Sequence, residues 1–155
     1  MPRRKKTQVT EFQSFVFEIV TWEPEYHFAL NSSKWPPGPY WEHCELTCQC
    51  TLLIPSKLTG RHVMVRVLGD RGEMTAVQRP AEVTSPPVAI GGLTLRGQQS
   101  DYLGSIPFDA FWGVTAMLAA NRVRYITLHG EVLSGGRTRI RSIGFQPNFN
   151  AEDYE

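Results

Sequence analysis

The stretch His43-Cys44-Glu45-Leu46-Thr47-Cys48-Gln49-Cys50-Thr51-Leu52-Leu53-Ile54 has the clearest periodicity in the chain, and it decides the fold class. Every even position from 44 to 54 is apolar, whereas positions 45, 47, 49 and 51 are polar. Successive side chains of a strand point to opposite faces, so this alternation indicates a β-strand with one apolar face.

Similar β-rich segments lie on both sides of this strand, separated by turn residues. Residues 61–68 alternate in the same way, with three valines on one face. Further strands are predicted at residues 15–22, 26–30, 88–96 and 101–106. Glu23-Pro24-Glu25 and Asp70-Arg71-Gly72 have the composition of turns, and Gly91-Gly92 indicates a bulge or bend.

One helix is predicted at about residues 107–121, with Pro107 at its first position and Asn121 as a left-handed cap. Strands at 123–133 and 137–145 follow, joined by the Gly-Gly turn of a hairpin. The order of elements predicts a mainly β fold. We expect an antiparallel β-sandwich or barrel of about seven to nine strands, with one α-helix before a C-terminal β-hairpin.

The chain has 155 residues and a formal net charge of +1, which favours one domain and excludes a globally basic nucleic-acid coat. We expect a flexible basic tail at residues 1–10, a β-rich domain at 11–147 and a flexible acidic tail at 148–155. No apolar run is long enough for a membrane span, and residues 3–6 lead into a polar segment, unlike a signal peptide. With an odd number of cysteines, we expect a soluble, reduced, cytoplasmic protein.

The residues His43, Cys44, Cys48 and Cys50 suggest a zinc site by composition. The alternation argues against it, because the three thiols lie on the apolar face and His43 points away. The outer two cysteines are also about 20 Å apart along a straight strand, too far for one tetrahedral ion. We therefore interpret the cysteines as reduced core residues, and we expect no metal and no cofactor.

A Pro-rich loop at residues 31–41 carries Trp35, Tyr40 and Trp41, the first candidate binding residues. A stiff backbone loses little entropy on docking, and these side chains offer flat apolar faces with polar edges. The alternative is that the aromatic side chains fold down and plug one end of the sandwich.

Arg137, Arg139 and Arg141 share one face of the last strand and form the second candidate binding surface. They can hold a phosphate or carboxylate, or they can be the charged residues of a solvated sheet edge. Arg122 and Arg124 begin the preceding strand, far from the turn, so the five arginines need not form one patch.

Catalytic signatures are scarce, and no catalytic residue is assigned. His129 and Glu131 share a face and could form an acid–base pair, or they could be ordinary surface groups. We expect a non-catalytic module that binds a protein partner or associates with itself. The alternatives are a small-molecule enzyme with a site in a β-barrel mouth, and a protein that binds nucleic acid or an anionic ligand.

The balanced net charge hides two halves of opposite sign. Residues 11–60 hold six acidic and two basic residues, whereas residues 61–147 hold ten basic and six acidic residues. If folding keeps the halves apart, head-to-tail association or an anionic partner is favoured. If folding interleaves them, the folded surface has no large region of one charge sign.

Overall fold

The alternating segment belongs to the second of seven strands in a computed structural model, which describes residues 11–32 and 38–154. The strands are β1 (Phe12–Leu30), β2 (Tyr40–Ile54), β3 (His62–Asp70), β4 (Gly91–Arg96), β5 (Gln99–Pro107), β6 (Tyr125–Glu131) and β7 (Arg137–Gln146). The α-helices are α1 (Arg71–Gln78) and α2 (Phe108–Ala119). The strands close into a barrel in the order β1-β2-β3-β5-β4-β7-β6. The predicted mainly β fold is confirmed, and of its two forms the barrel is the one adopted.

Closure of the barrel depends on β1, which pairs with β6 through residues 12–18 and with β2 through residues 16–30. Every strand pair is antiparallel except β3 with β5, which is parallel. The connection between these two parallel strands contains α1 and β4. A parallel pair needs a crossover connection of this kind, and here it places a helix outside the barrel wall.

The apolar face of each strand points into one continuous core. The predicted inward side chains of β2 and β3 are buried, as are residues of β1, β4, β5, β6 and β7. On α2, Phe111, Val114 and Leu118 join the same core. This helix packs against the C-terminal ends of β3 and β5, where Gly69 has no side chain and lies beside Phe111.

The predicted helix is confirmed as α2, with Asp109 in its first turn and Asn121 at φ 55° just beyond its end. Pro107 differs from the prediction, because it occupies the cap position and is also the last residue of β5. The helix α1 was not predicted from the sequence. Asp70 is not part of a turn: its side chain accepts a hydrogen bond from the Glu73 N–H at 2.7 Å and caps the helix.

The prediction of a turn at Glu23-Pro24-Glu25 is wrong, because β1 is one strand of 19 residues. Asn31 donates its N–H to Pro39 across the β1–β2 pair at 2.8 Å, and backbone groups of a strand alternate between its two edges. The nitrogen of Pro24, an odd number of residues away, therefore faces the other edge of β1. No ladder bond to β2 is lost there, so the strand continues through the proline.

The predicted C-terminal hairpin is confirmed, and its glycines Gly135 and Gly136 have φ of 61° and 75°. The interpretation of Arg137, Arg139 and Arg141 as edge residues is wrong. Their strand, β7, lies between β4 and β6 in the closed barrel and is paired on both sides. The three arginines are exposed on its outer face.

The two predicted tails differ in how much the structure describes. The basic segment at residues 1–10 lies outside the described residues. In the acidic segment, Ala151–Asp153 forms a 3-10 turn, and the ring of Tyr154 stacks on His129 with centroids 6.2 Å apart. The expected flexibility of both tails stays a prediction.

The oppositely charged halves are interleaved, because β1 and β2 contact elements of the second half. Three ion pairs cross between them: Glu18 with Arg124 at 2.8 Å, Glu42 with Arg71 at 2.6 Å, and Glu45 with Arg66. The charge separation in the sequence therefore gives no simple division of the folded surface into acidic and basic halves.

We predict that Gly104→Ala destabilises the barrel, whereas Gly92→Ala does not. A methyl group on Gly104 would overlap the buried Tyr102 hydroxyl and lie 2.8 Å from the Ile90 carbonyl oxygen. Overpacking of this kind lowers the free energy of unfolding by about 1–3 kcal/mol, as urea denaturation will measure. At Gly92, nothing lies within 4 Å of the added methyl group, so no loss is expected. Equal stabilities for the two variants would contradict this packing.

Candidate functional site

A two-stranded arm extends beyond the barrel wall, where β1 and β2 continue past their other partners. Pairing of β1 with β6 ends at Glu18, and pairing of β2 with β3 ends at Glu45. Beyond these points β1 and β2 pair only with each other in the described part of the chain. We call residues 26–30 of β1 and 40–43 of β2 the arm. In the register of these two strands, His27 lies opposite His43.

The inner face of the arm continues the inward face of the barrel and is mainly apolar, with Glu42 opposite Phe28 as its acidic residue. It carries Tyr26, Phe28, Leu30 and Tyr40, of which Phe28 is 61% and Leu30 79% exposed. The rings of Phe28 and Tyr40 stack with centroids 5.4 Å apart, and Tyr26 lies 5.8 Å from Trp112 of α2. A row of large apolar side chains thus remains open to solvent from α2 to the tip of the arm.

The outer face of the arm carries a group of three rings, those of His27, Trp41 and His43. Trp41 and His43 are parallel within 1°, with centroids 5.8 Å apart. His27 lies 6.5 Å from Trp41 and 6.3 Å from His43. The stacked pair lies within β2, and the tilted contacts of His27 join the two strands, as cross-strand side-chain pairs commonly do.

A charged network joins the arm to both helices at its base. The Arg71 guanidinium of α1 contacts the Glu42 carboxylate at 2.6 Å and 3.1 Å, and it lies 3.8 Å from the ring centre of Phe108 on α2. The Tyr26 hydroxyl donates to Glu42 at 2.8 Å. The hydrogen bond from Arg71 is the main reason that the pKa of Glu42 is lowered. These contacts hold the base of the arm in one orientation.

A second network, on the outer face, is centred on the buried Glu45. Arg66 donates to one of its carboxylate oxygens, and His43 lies 3.2 Å from the other. The hydrogen bond from Arg66 is the main cause of the lowered pKa of Glu45. Within the described chain, Glu25, His43 and Glu45 are close enough to share a metal ion. However, both oxygens of Glu45 are already engaged, and the bound guanidinium repels a cation, so this group is better described as an ion-pair network.

Two of the three predicted aromatic residues lie on the arm, in strand rather than loop conformation, because β2 begins at Tyr40. Tyr40 is 58% and Trp41 40% exposed, so neither plugs the end of the barrel. As neighbours on a strand they point to opposite faces, Tyr40 inward and Trp41 outward. They do not form one surface. Trp35 lies outside the described residues.

The predicted arginine surface on β7 is mixed in charge. Arg139 lies 3.6 Å from Glu131, and the Arg141 guanidinium lies 5.5 Å from the ring centre of Phe12. Arg137 and Arg139 line a cavity of about 560 Å³ that also contains Asp101 and Glu131. Two carboxylates in the same cavity oppose the binding of an anion. The mixed charge of this surface therefore gives little support to the anionic-ligand and nucleic-acid alternatives. The arm is the better supported candidate site.

The three cysteines are buried in the barrel interior, as their alternation predicts, and none forms a disulfide. Burial raises the pKa of the Cys48 thiol to about 12 and also raises that of Cys50. Protonated, buried thiols are poor nucleophiles and poor metal ligands. His129 and Glu131 have separate partners, His129 the Ser14 hydroxyl at 2.7 Å and Glu131 the Arg139 guanidinium at 3.6 Å.

In comparisons with known proteins, no family model, no curated protein and no solved structure matches this chain. Within the described residues, none of the helices has the length and apolar character needed to cross a membrane.

Tyr26, Phe28 and Leu30 were not predicted from the sequence as candidate binding residues. The pattern that could have identified them is the large apolar side chain at every second position from 26 to 30, with His27 and Ala29 between. This alternation predicts a strand with one apolar face. The pattern does not show that this strand extends beyond the barrel, where no described element covers its apolar face.

We predict that Glu45→Gln lowers the free energy of unfolding at pH 7 by about 1–3 kcal/mol, because it removes a charge-assisted hydrogen bond to Arg66. Since the pKa of Glu45 is lowered in the fold, its contribution is present above the ordinary value of 4.5 and is lost as the pH falls through the lowered value. Urea denaturation at a series of pH values will measure the difference, which should shrink in acid.

Glu131→Gln is the matched control, because Glu131 is more exposed and its ion pair with Arg139 is longer, at 3.6 Å. We expect a change within about 0.5 kcal/mol. If the two variants were equally destabilised, or if the effect of Glu45→Gln persisted unchanged in acid, the role given to the Glu45 network would be wrong.

Proposed function

We propose that this protein is a non-catalytic association module, and that the arm pairs with the arm of a second copy of the chain. The observation that carries the proposal is the coincidence, on the same five residues of β1, of an exposed apolar face and an open strand edge. Each feature alone is a common surface property, but together they form a template for adding a strand.

The open edge is the side of β1 that faces away from β2. The last backbone bond from this side to another segment, within the described residues, is from the Ile19 N–H to the Arg124 carbonyl at 2.9 Å. Backbone N–H groups of a strand alternate between its two edges, and the Pro24 nitrogen faces the open edge. The N–H groups of Tyr26, Phe28 and Leu30, an even number of residues away, therefore also point to the open edge. Three N–H donors therefore point to the open edge, and the carbonyl groups of the same three residues lie between them. An added antiparallel strand requires this arrangement.

The sequence of the edge favours one register. Glu23, Pro24 and Glu25 lie on its barrel side, whereas residues 26–30 include no acidic or strongly basic side chain. Antiparallel pairing centred on Phe28 places Phe28 opposite its own copy and Tyr26 opposite Leu30 of the second copy. It also keeps the Glu25 side chains of the two copies apart, whereas pairing centred on Glu25 would bring like charges together.

Symmetric pairing of this kind gives a closed dimer. Each arm contributes two strands, so the dimer would contain a four-stranded sheet with the apolar inner faces side by side. The interface is self-complementary because the same five residues face each other in reverse order. A closed twofold arrangement also leaves no second copy of the edge available for further growth.

The proposal retains the expected cytoplasmic location. It is supported by three free cysteines, which are typical of a reducing compartment. The non-catalytic part is supported by the separate engagement of His129 and Glu131 and by the buried, protonated thiols.

We predict that the wild-type protein forms a dimer and that Phe28→Glu raises its dissociation constant at least about tenfold. The substitution buries an unpaired charge at the centre of the interface, which costs more than about 1.4 kcal/mol. Analytical ultracentrifugation across a wide concentration range will measure the mass. Circular dichroism will show whether the barrel is retained, and the milder Phe28→Ser replaces Phe28→Glu if it is not.

Leu103→Glu is the matched control, because Leu103 is an exposed apolar residue on the outer face of β5, away from the arm. It should leave the dimer intact. A wild-type protein that remains monomeric at the highest concentration would refute the proposal. So would a folded Phe28→Glu protein that dimerises as well as wild type, since the interface would then lie elsewhere.

A further inference from the structure

A window opens in the barrel wall where β4 begins. Gly91, its first residue, lies opposite Gly104 of β5 and Ile140 of β7. Ile90 makes the last bonds across the gap, donating to Ile140 at 2.8 Å and accepting from the Ser105 N–H at 3.1 Å. Beyond Ile90, β5 and β7 continue without a strand between them in the described chain. The helices α1 and α2 flank the gap.

A cavity of about 580 Å³ occupies this window. Its size is within the range of small-molecule sites, which are commonly several hundred Å³. Most of the lining is apolar, including the buried side chains Ile106 and Val114, with Ile90 and Phe145 around them. The polar side chains in the lining are Glu73, Ser105 and Ser142. An apolar wall with a few polar groups is the usual composition of a ligand pocket.

Glu73 is the ionisable group among these lining residues, and its carboxylate has no cationic partner. Ser105 donates its hydroxyl hydrogen to one oxygen of Glu73. No basic residue of the described chain lies within ion-pair distance of Glu73, and the nearby Arg71 is engaged by Glu42. Burial and, more weakly, the negative charge of Asp70 raise the pKa of Glu73. When ionised, the Glu73 carboxylate therefore has the Ser105 hydroxyl as a hydrogen-bond donor and no cationic partner among the described residues.

We propose that this window is a binding site for a small apolar molecule that carries a single ammonium group. The ammonium supplies the missing cation at Glu73, and its remaining hydrogens can be accepted by the Ser105 or Ser142 hydroxyl oxygen. The apolar body of the ligand replaces water against Ile106, Val114 and Phe145. A neutral or anionic head group would leave the Glu73 charge unpaired.

The proposal of this site rests on other residues than the proposed association through the arm. None of the residues that line the window belongs to the arm, and the variants that test dimerisation leave the lining unchanged. The window also offers one carboxyl and two hydroxyl groups, without a histidine or a second acid in its lining. Selective binding of a ligand is the chemistry that this set of groups supports.

Three probes of nearly equal shape test the proposal: 1-naphthylmethylamine, 1-naphthalenemethanol and 1-naphthoic acid. Isothermal titration calorimetry on the full chain at pH 7 measures their affinities. We expect the amine to bind at least about tenfold more tightly than the alcohol, and the acid to bind least. Glu73→Gln should reduce the affinity for the amine about tenfold or more, while the affinity for the alcohol changes little.

Two further variants separate the role of Glu73 from general effects. Glu82→Gln makes the same change at an exposed acid outside the lining, and it should leave binding of the amine unchanged. Ala110→Trp fills the window from α2 and should abolish binding of all three probes. The proposal is overturned if no probe binds, if Glu73→Gln does not alter the preference for the amine, or if the acid binds more tightly than the amine.

Discussion

Pairing of β1 on both of its edges is the interaction on which the rest of the structure depends. Its first third joins β6 to β2 and so closes the barrel, whereas its last part pairs, within the described residues, with β2 alone. The same strand thus contributes to the core and to the exposed arm. Both features require a strand longer than the barrel wall. The length is possible because Pro24 faces the unpaired edge, where its missing N–H removes no ladder bond.

The sequence was sufficient to predict those elements that depend on local pattern. Alternation identified the buried face of β2 and β3, and the three-four spacing together with Asn121 located α2 closely. Gly135 and Gly136 identified the terminal hairpin, because both adopt the positive φ that glycine tolerates. In each case the physical cause lies within a few residues of the signal.

The features that were missed depend on partners distant in sequence. Asp70 is typical of both a turn and a helix cap, and only the Glu73 N–H that it accepts distinguishes the two. Closure into a barrel, instead of a sandwich, requires the parallel pairing of β3 with β5, which no local pattern encodes. The window near Ile90 is built from separate segments, so its single carboxylate could not be recognised before their arrangement was known.

The short helix α1 has no buried residue, and its polar contacts include the Arg71–Glu42 pair and the hydrogen bond from Ser105 to Glu73. Two side chains of its first turn point to different surfaces: Arg71 holds Glu42 at the base of the arm, and Glu73 lines the window. A rigid-body shift of α1 moves both groups together. A ligand in the window that displaced α1 would therefore also move Arg71 at the base of the arm, and by reciprocity a partner on the arm that displaced α1 would change the affinity of the window by the same factor. The crossover that joins two parallel strands thus also carries one side chain of each surface.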